Sequence, residues 1–107
     1  MKFQATKKIP GGKLVRIKLE ATPNGAAHHI SAASIHGDFF LHPEDAITHI
    51  EQALQGLSTE SSAQIFTQEI EKALAEKNAN FIGVTPENLA EVITEALHPE
   101  TANQSAG

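Results

Sequence analysis

Between Lys13 and Thr22 the side chains alternate with a period of two. Val15, Ile17, Leu19 and Ala21 fall on one side, and Arg16, Lys18 and Glu20 on the other. Only an extended strand with one buried face brings those four apolar groups together. Leu14 is the exception, on the polar side near the preceding turn. Turn signals bound the run, Pro10-Gly11-Gly12 before it and Pro23-Asn24-Gly25 after it. Proline cannot continue a ladder, and glycine accepts positive φ. Residues 2–9 read as a shorter strand with Phe3 and Ala5 on one face. A third strand covers Ala26 to His36. Ile30 and Ile35 have opposite parity in it, which places a bulge between them. Two short connections make these strands an antiparallel meander.

After His42 the period changes to that of a helix. Pro43-Glu44-Asp45 suits a first helical turn, and Ala46, Ile47, Ile50, Ala53, Leu54 and Leu57 recur behind it. Gly56 is the expected C-cap. Ser58 or Thr59 is the expected cap of a second helix with the stripe Ile65, Phe66, Ile70, Ala73 and Leu74. Phe81–Val84 reads as a brief extended link. Thr85-Pro86-Glu87 opens a third helix with the stripe Leu89, Ile93, Ala96 and Leu97, ended by His98-Pro99. Three strands alone are marginal, and the helices give them a face to bury. The expected fold class is α+β, a three-stranded antiparallel β-meander followed by about three α-helices packed on one face. Residues 1–98 would form the domain and 99–107 a flexible tail.

Composition narrows the function. The chain has 107 residues and no cysteine, which excludes disulfides, thiolate metal sites and cysteine nucleophiles. No apolar run approaches ~18 residues, so no membrane span is expected. The first eight residues lack the apolar stretch of a secretory signal, and a cytoplasmic location is the expectation. Charge is unevenly spread. Lys2, Lys7, Lys8, Lys13, Arg16 and Lys18 precede every acid, while the rest of the chain sets Lys72 and Lys77 against all 13 acids. The first segment is either a solvated basic hairpin or a face for an anion or acidic partner. Nucleic acid is a poor partner for a chain of net charge −5 without Trp or Tyr.

Catalytic signals are sparse. His28, His29, His36, His42, His49 and His98 form no His-Glu-x-x-His pattern, and only Asp45 and His49 share a helical face. Ser31 and Ser34 lie near His29 and His36, without the elbow or oxyanion hole of a hydrolase. Gly11-Gly12-Lys13 is either a plain hairpin turn or a backbone nest for an anion. In Gly37-Asp38-Phe39-Phe40-Leu41, adjacent aromatics on extended backbone point to opposite faces. Either one Phe enters the core and the other anchors a partner, or both are core on an irregular backbone.

Lys8-Ile9-Pro10-Gly11-Gly12-Lys13-Leu14-Val15-Arg16, Gly37-Asp38-Phe39-Phe40-Leu41, Pro43-Glu44 and Leu54-Gln55-Gly56-Leu57 resemble the accessory C-terminal domain of lipoate–protein ligases. Phe81-Ile82-Gly83-Val84-Thr85-Pro86-Glu87-Asn88-Leu89 is similar to it as well. The match runs from about Lys2 to Leu97, without the family's catalytic domain. It implies a non-catalytic small subunit that forms a heterodimer with a separate catalytic subunit. The assembled ligase would use ATP, Mg and lipoate to make lipoyl-adenylate and pyrophosphate, then lipoylate a lysine of an acceptor domain. The accessory domain belongs to the activation step. Residues for the partner interface or for completing its active site are Gly11, Gly12, Lys13, Arg16, Asp38, Phe39 and Phe40, with no catalytic or metal residue and no cofactor bound by this chain alone. The alternatives are a free-standing small-anion or protein-binding module and a small hydrolase or metalloenzyme built on the histidines. The first reading predicts that the isolated chain, given ATP, Mg and lipoate, releases no pyrophosphate above background. A robust signal from the pure chain would overturn it.

Overall fold

The computed structural model describes residues 1–11 and 13–99. Strands β1 (Lys2–Lys8), β2 (Leu14–Asn24) and β3 (Ala27–Gly37) form an antiparallel sheet in the order β1-β2-β3. Val15, Ile17, Leu19 and Ala21 all lie buried on one face of β2, as their alternation requires. Leu14 sits on the opposite, exposed face. The expected bulge is present. Glu20 pairs with Ala32 while Ala21 pairs with Ile30, which leaves Ser31 as the extra residue on β3. That single insertion lets Ile30 and Ile35 face the same core despite their opposite parity.

The second turn lies later than expected, at Gly25–Ala26, because Pro23 and Asn24 pair with His28 and Ala27 inside the ladder. Ala21 donates its N–H to Met1, and Pro23 faces the same side two residues on. β1 has ended there, so the missing proline N–H costs no sheet bond.

After the short strand β4 (Phe40–His42) come the helices α1 (Ala46–Leu54), α2 (Ala63–Glu76) and α3 (Pro86–Leu97), with strand β5 (Asn80–Ile82) between the last two. α3 lies against β1 and β2, α1 against β3, and α2 packs on both α1 and α3. The core joins the inner sheet face to Ile50, Leu54, Phe66, Ile70, Leu89 and Ile93, all fully buried. This is the expected α+β class.

The helix ends needed the structure. Pro43–Asp45 is not the first turn of α1 but a separate turn before it, in which Pro43 and Glu44 accept from Ala46 and Ile47 at 3.1 and 3.2 Å. The His42–Pro43 peptide is cis. Gln55 is the C-cap, and Gly56, one residue on at φ +90°, donates its N–H to Ile30 across the gap to β3. The cap of α2 is Ser62, not Ser58 or Thr59. Those two are held at the β3 edge, where Ser58 bridges to His29 and Thr59 donates to the His28 carbonyl. Ile65 lies outside the buried stripe of α2 and is 42% exposed. Thr85 and Asn88 form a reciprocal capping box at α3. The link at Phe81 is the strand β5, paired antiparallel with β4. Gly12 and all of the expected 99–107 tail beyond Pro99 lie outside the described residues.

Gly37 turns the chain out of β3 against the base of β2. A Cβ there would stand 2.2 Å from the Leu14 carbonyl oxygen and 2.9 Å from the Phe39 ring. Gly37→Ala should therefore cost about 1–3 kcal/mol, as overpacking does, and lower the melting temperature by roughly 5–20 °C in a domain of this size. Gly56→Asn, where an added Cβ meets nothing and only the φ of +90° strains the new residue, should cost less, about 1 kcal/mol. Thermal melts followed by circular dichroism separate the two.

Candidate functional site

One end of the sheet gathers segments distant in sequence. Ile9 donates its N–H to the Lys13 carbonyl at 2.7 Å, closing the β1–β2 hairpin, and Gly11 takes φ +100° in that turn. Next to it, Asp38 donates its N–H to the Leu14 carbonyl at 2.9 Å, and Val15 pairs with Gly37. The Gly37–Leu41 segment thus lies against the hairpin base. From there β4 runs along β5, with Phe40 opposite Ile82 and Leu41 opposite Phe81.

The two adjacent phenylalanines part company. The Phe39 ring packs on the core and meets Phe81 edge-on, with centroids 5.6 Å apart. Phe40 is 69% exposed, and its cross-strand neighbour Ile82 is 63% exposed. The pair forms an exposed apolar knob. Lys13 completes this end. Its aliphatic stem runs over Gly83, where a Cβ would lie 3.3 Å from the lysine Cε. Gly83 has φ +102°, so its backbone also favours glycine. A depression of about 260 Å³ opens beside the knob, bordered by Gly37, Phe39, Phe40, Glu44 and Ile47.

Of the residues expected from sequence, the fold brings Gly11, Lys13, Asp38, Phe39 and Phe40 to this end. Arg16 is elsewhere, on the outward sheet face, where its Nε donates to Thr6 Oγ1 at 3.3 Å. Gly12 is outside the described residues. Ile82, Gly83 and Phe81 were missed as site residues. They stood in a short apolar run and in a stretch of the family resemblance, but a three-residue strand leaves no readable period to show which side chain faces outward.

The histidines are dispersed. Ser34 Oγ and His36 Nε2 are 2.8 Å apart on β3, His49 pairs with Glu76 at 2.7 Å, and His98 reaches the Thr59 carbonyl at 3.0 Å. Among the described residues no group of three or more His, Asp or Glu is placed to hold a metal ion. Lys7 is the one hairpin cation bound to carboxylates of this chain among the described residues. It faces α3, bonded to Glu91 and 3.1 Å from Glu95 Oε2. The hydrogen bond to Glu91, with Glu95 beside it, holds Lys7 above the ordinary lysine value of 10.5, against the opposing effect of partial burial.

A family model of the bacterial lipoate protein ligase C-terminus matches residues 1–93. The chain belongs to the lipoate protein ligase C-terminal family. Among solved structures, it is similar to a chain from an archaeal lipoylation system, a bi-partite lipoate protein ligase and its E2 lipoyl domain from Thermoplasma acidophilum. The two share 26% identity with a TM-score of 0.64, over 87% of this chain and 97% of that one. No curated protein matches. Among the described residues no helix is long and apolar enough to cross a membrane. In this family member, Phe39 and Phe40 should respond differently to truncation. Phe39→Ala should cost about 2–4 kcal/mol of stability, below the full value for a buried ring. Phe40→Ala should stay within about 0.5 kcal/mol. Chemical denaturation of the two variants checks this, and equal losses would place both rings in the core.

Proposed function

We propose that this chain is the non-catalytic accessory subunit of a two-part lipoate–protein ligase. In this reading a separate catalytic subunit holds lipoate, ATP and Mg, forms lipoyl-adenylate with release of pyrophosphate, and passes the lipoyl group to a lysine of an acceptor domain. The present chain joins that subunit as a cytoplasmic heterodimer and serves the activation step. The observation that carries the reading is the Phe40–Ile82 knob beside Lys13. Two large apolar side chains in water have the character of an interface anchor, and the Lys13 stem lies over Gly83, the residue after Ile82. Family membership and the likeness to the bi-partite system support the same reading. A free-standing small-anion binding module would leave the knob uncovered.

The chemistry follows from charge. Attack of the lipoate carboxylate on the α-phosphate builds negative charge on the phosphate oxygens, and a cation fixed before the reaction stabilises that charge without reorganisation. Gly83 lets the Lys13 stem lie close to the backbone, which limits how far the ammonium can wander. The lysine supplements cations of the catalytic subunit. Docking by the knob would set its position in the shared site.

Two assays of the reconstituted pair test this. One starts from lipoate and ATP, the other from preformed lipoyl-adenylate. Lys13→Ala should slow the first by about 10²–10³-fold if the ammonium touches the developing charge, and should leave the second unchanged. Phe40→Ala should weaken association of the two subunits while leaving the fold of the chain intact. Equal rates for Lys13→Ala and wild type in both assays would remove Lys13 from the chemistry.

A further inference from the structure

The sheet has a second face, and its character differs from that of the knob. The outward side chains of β1 and β2 are exposed along their whole length, since the helices all pack on the inner face. Lys2, Lys8, Arg16 and Lys18 lie on this outward face with Glu20 as the one acid from these two strands. β3 adds Ser34 beside Lys18 and His36 beside Arg16. A groove of about 610 Å³ runs over it, bordered by Lys2, Gln4, Lys18, Glu20 and Ser34. Among the described residues none of the four cations has a carboxylate within ion-pair distance. Lack of acid is not the reason, because the chain holds 13 acids against 8 Lys and Arg. Lys7, on the other face of the same strand, is bonded to both Glu91 and Glu95. The fold has thus directed its carboxylates to the inner lysine and left the outer cations open.

The two surfaces suit two kinds of association. An apolar knob supports a lasting contact, because its stabilisation comes from excluded water. An open polar face that is mainly positive gains little lasting affinity but speeds encounter and release of a complementary surface. We infer that the outward face of the β1–β2–β3 sheet is a docking surface for an acidic patch on the acceptor domain, which must arrive and leave in each turnover. This rests on the accessory-subunit reading. Nucleic acid fits less well, since Glu20 lies within the face and the chain as a whole is negative.

The experiment uses the reconstituted ligase and the unlipoylated acceptor domain of the same organism, with two variants that each make the net charge more negative by two. One is Lys18→Glu; the other combines Lys2→Gln with Lys18→Gln. Both positions are exposed on the sheet surface, and matched melting temperatures check the fold. Each variant should raise the KM for the acceptor about 3–10-fold at low ionic strength. The difference should fade with added salt. Pyrophosphate release from lipoate and ATP without acceptor should match wild type. If the wild-type chain supports activation and neither variant moves the acceptor KM, this assignment falls and the accessory reading stands. A change in the KM for lipoate or ATP alone would give the face to the catalytic subunit and overturn the assignment. If the wild-type chain does not support activation at all, both readings fall together.

Discussion

Burial of one face of a three-stranded sheet is the constraint on which the rest of this structure depends. Val15, Ile17 and Leu19 are essentially inaccessible, and three strands cannot protect them without a second layer. α1 and α3 provide that layer directly, and α2 braces them from outside. The bulge at Ser31 belongs to the same requirement. Without it either Ile30 or Ile35 would turn into water, at a cost of about 1.5–3 kcal/mol for one such side chain. The free edge of β3 is also closed from the helical side, by Glu51 accepting from the Ile35 N–H at 2.8 Å and by Gly56 and Thr59 bonding to the strand. Packing and edge protection of β3 therefore come from the same stretch of chain, α1 and the turn that follows it.

Covering one face leaves the other bare, and the functional reading follows from that asymmetry. The inner face collects the apolar residues and Lys7 with its two carboxylates. The outer face keeps four cations facing solvent. At the hairpin end the covering layer gives way to the small β4–β5 ribbon, which is too narrow to have a fully buried side. Its inner residues, Leu41 and Phe81, reach the core, and its outer pair, Phe40 and Ile82, must face water or a partner. The knob is thus a consequence of a two-stranded ribbon at the edge of a small domain. Gly37 makes it possible, by letting β3 turn against the Leu14 carbonyl where any side chain would collide.

Strand and helix identity were legible in the sequence because both depend on local periodicity. The alternation in β2 and the spacing in α1 and α3 survive any tertiary arrangement, and the parity break between Ile30 and Ile35 announced the bulge. Other features were decided only by the tertiary structure. Ser58 and Thr59 look like helix caps, but β3 claims them through backbone hydrogen bonds. Pro23 looks like a turn residue, but the early end of β1 admits it to the ladder. Which of two adjacent phenylalanines is buried depends on the partner strand β5, some forty residues away. Six cations in the first 18 residues look alike in sequence, yet Lys7 is matched to α3, Lys13 to Gly83, and the rest to solvent. Periodicity tells a residue which neighbours share its face, but only the packed chain determines what that face meets.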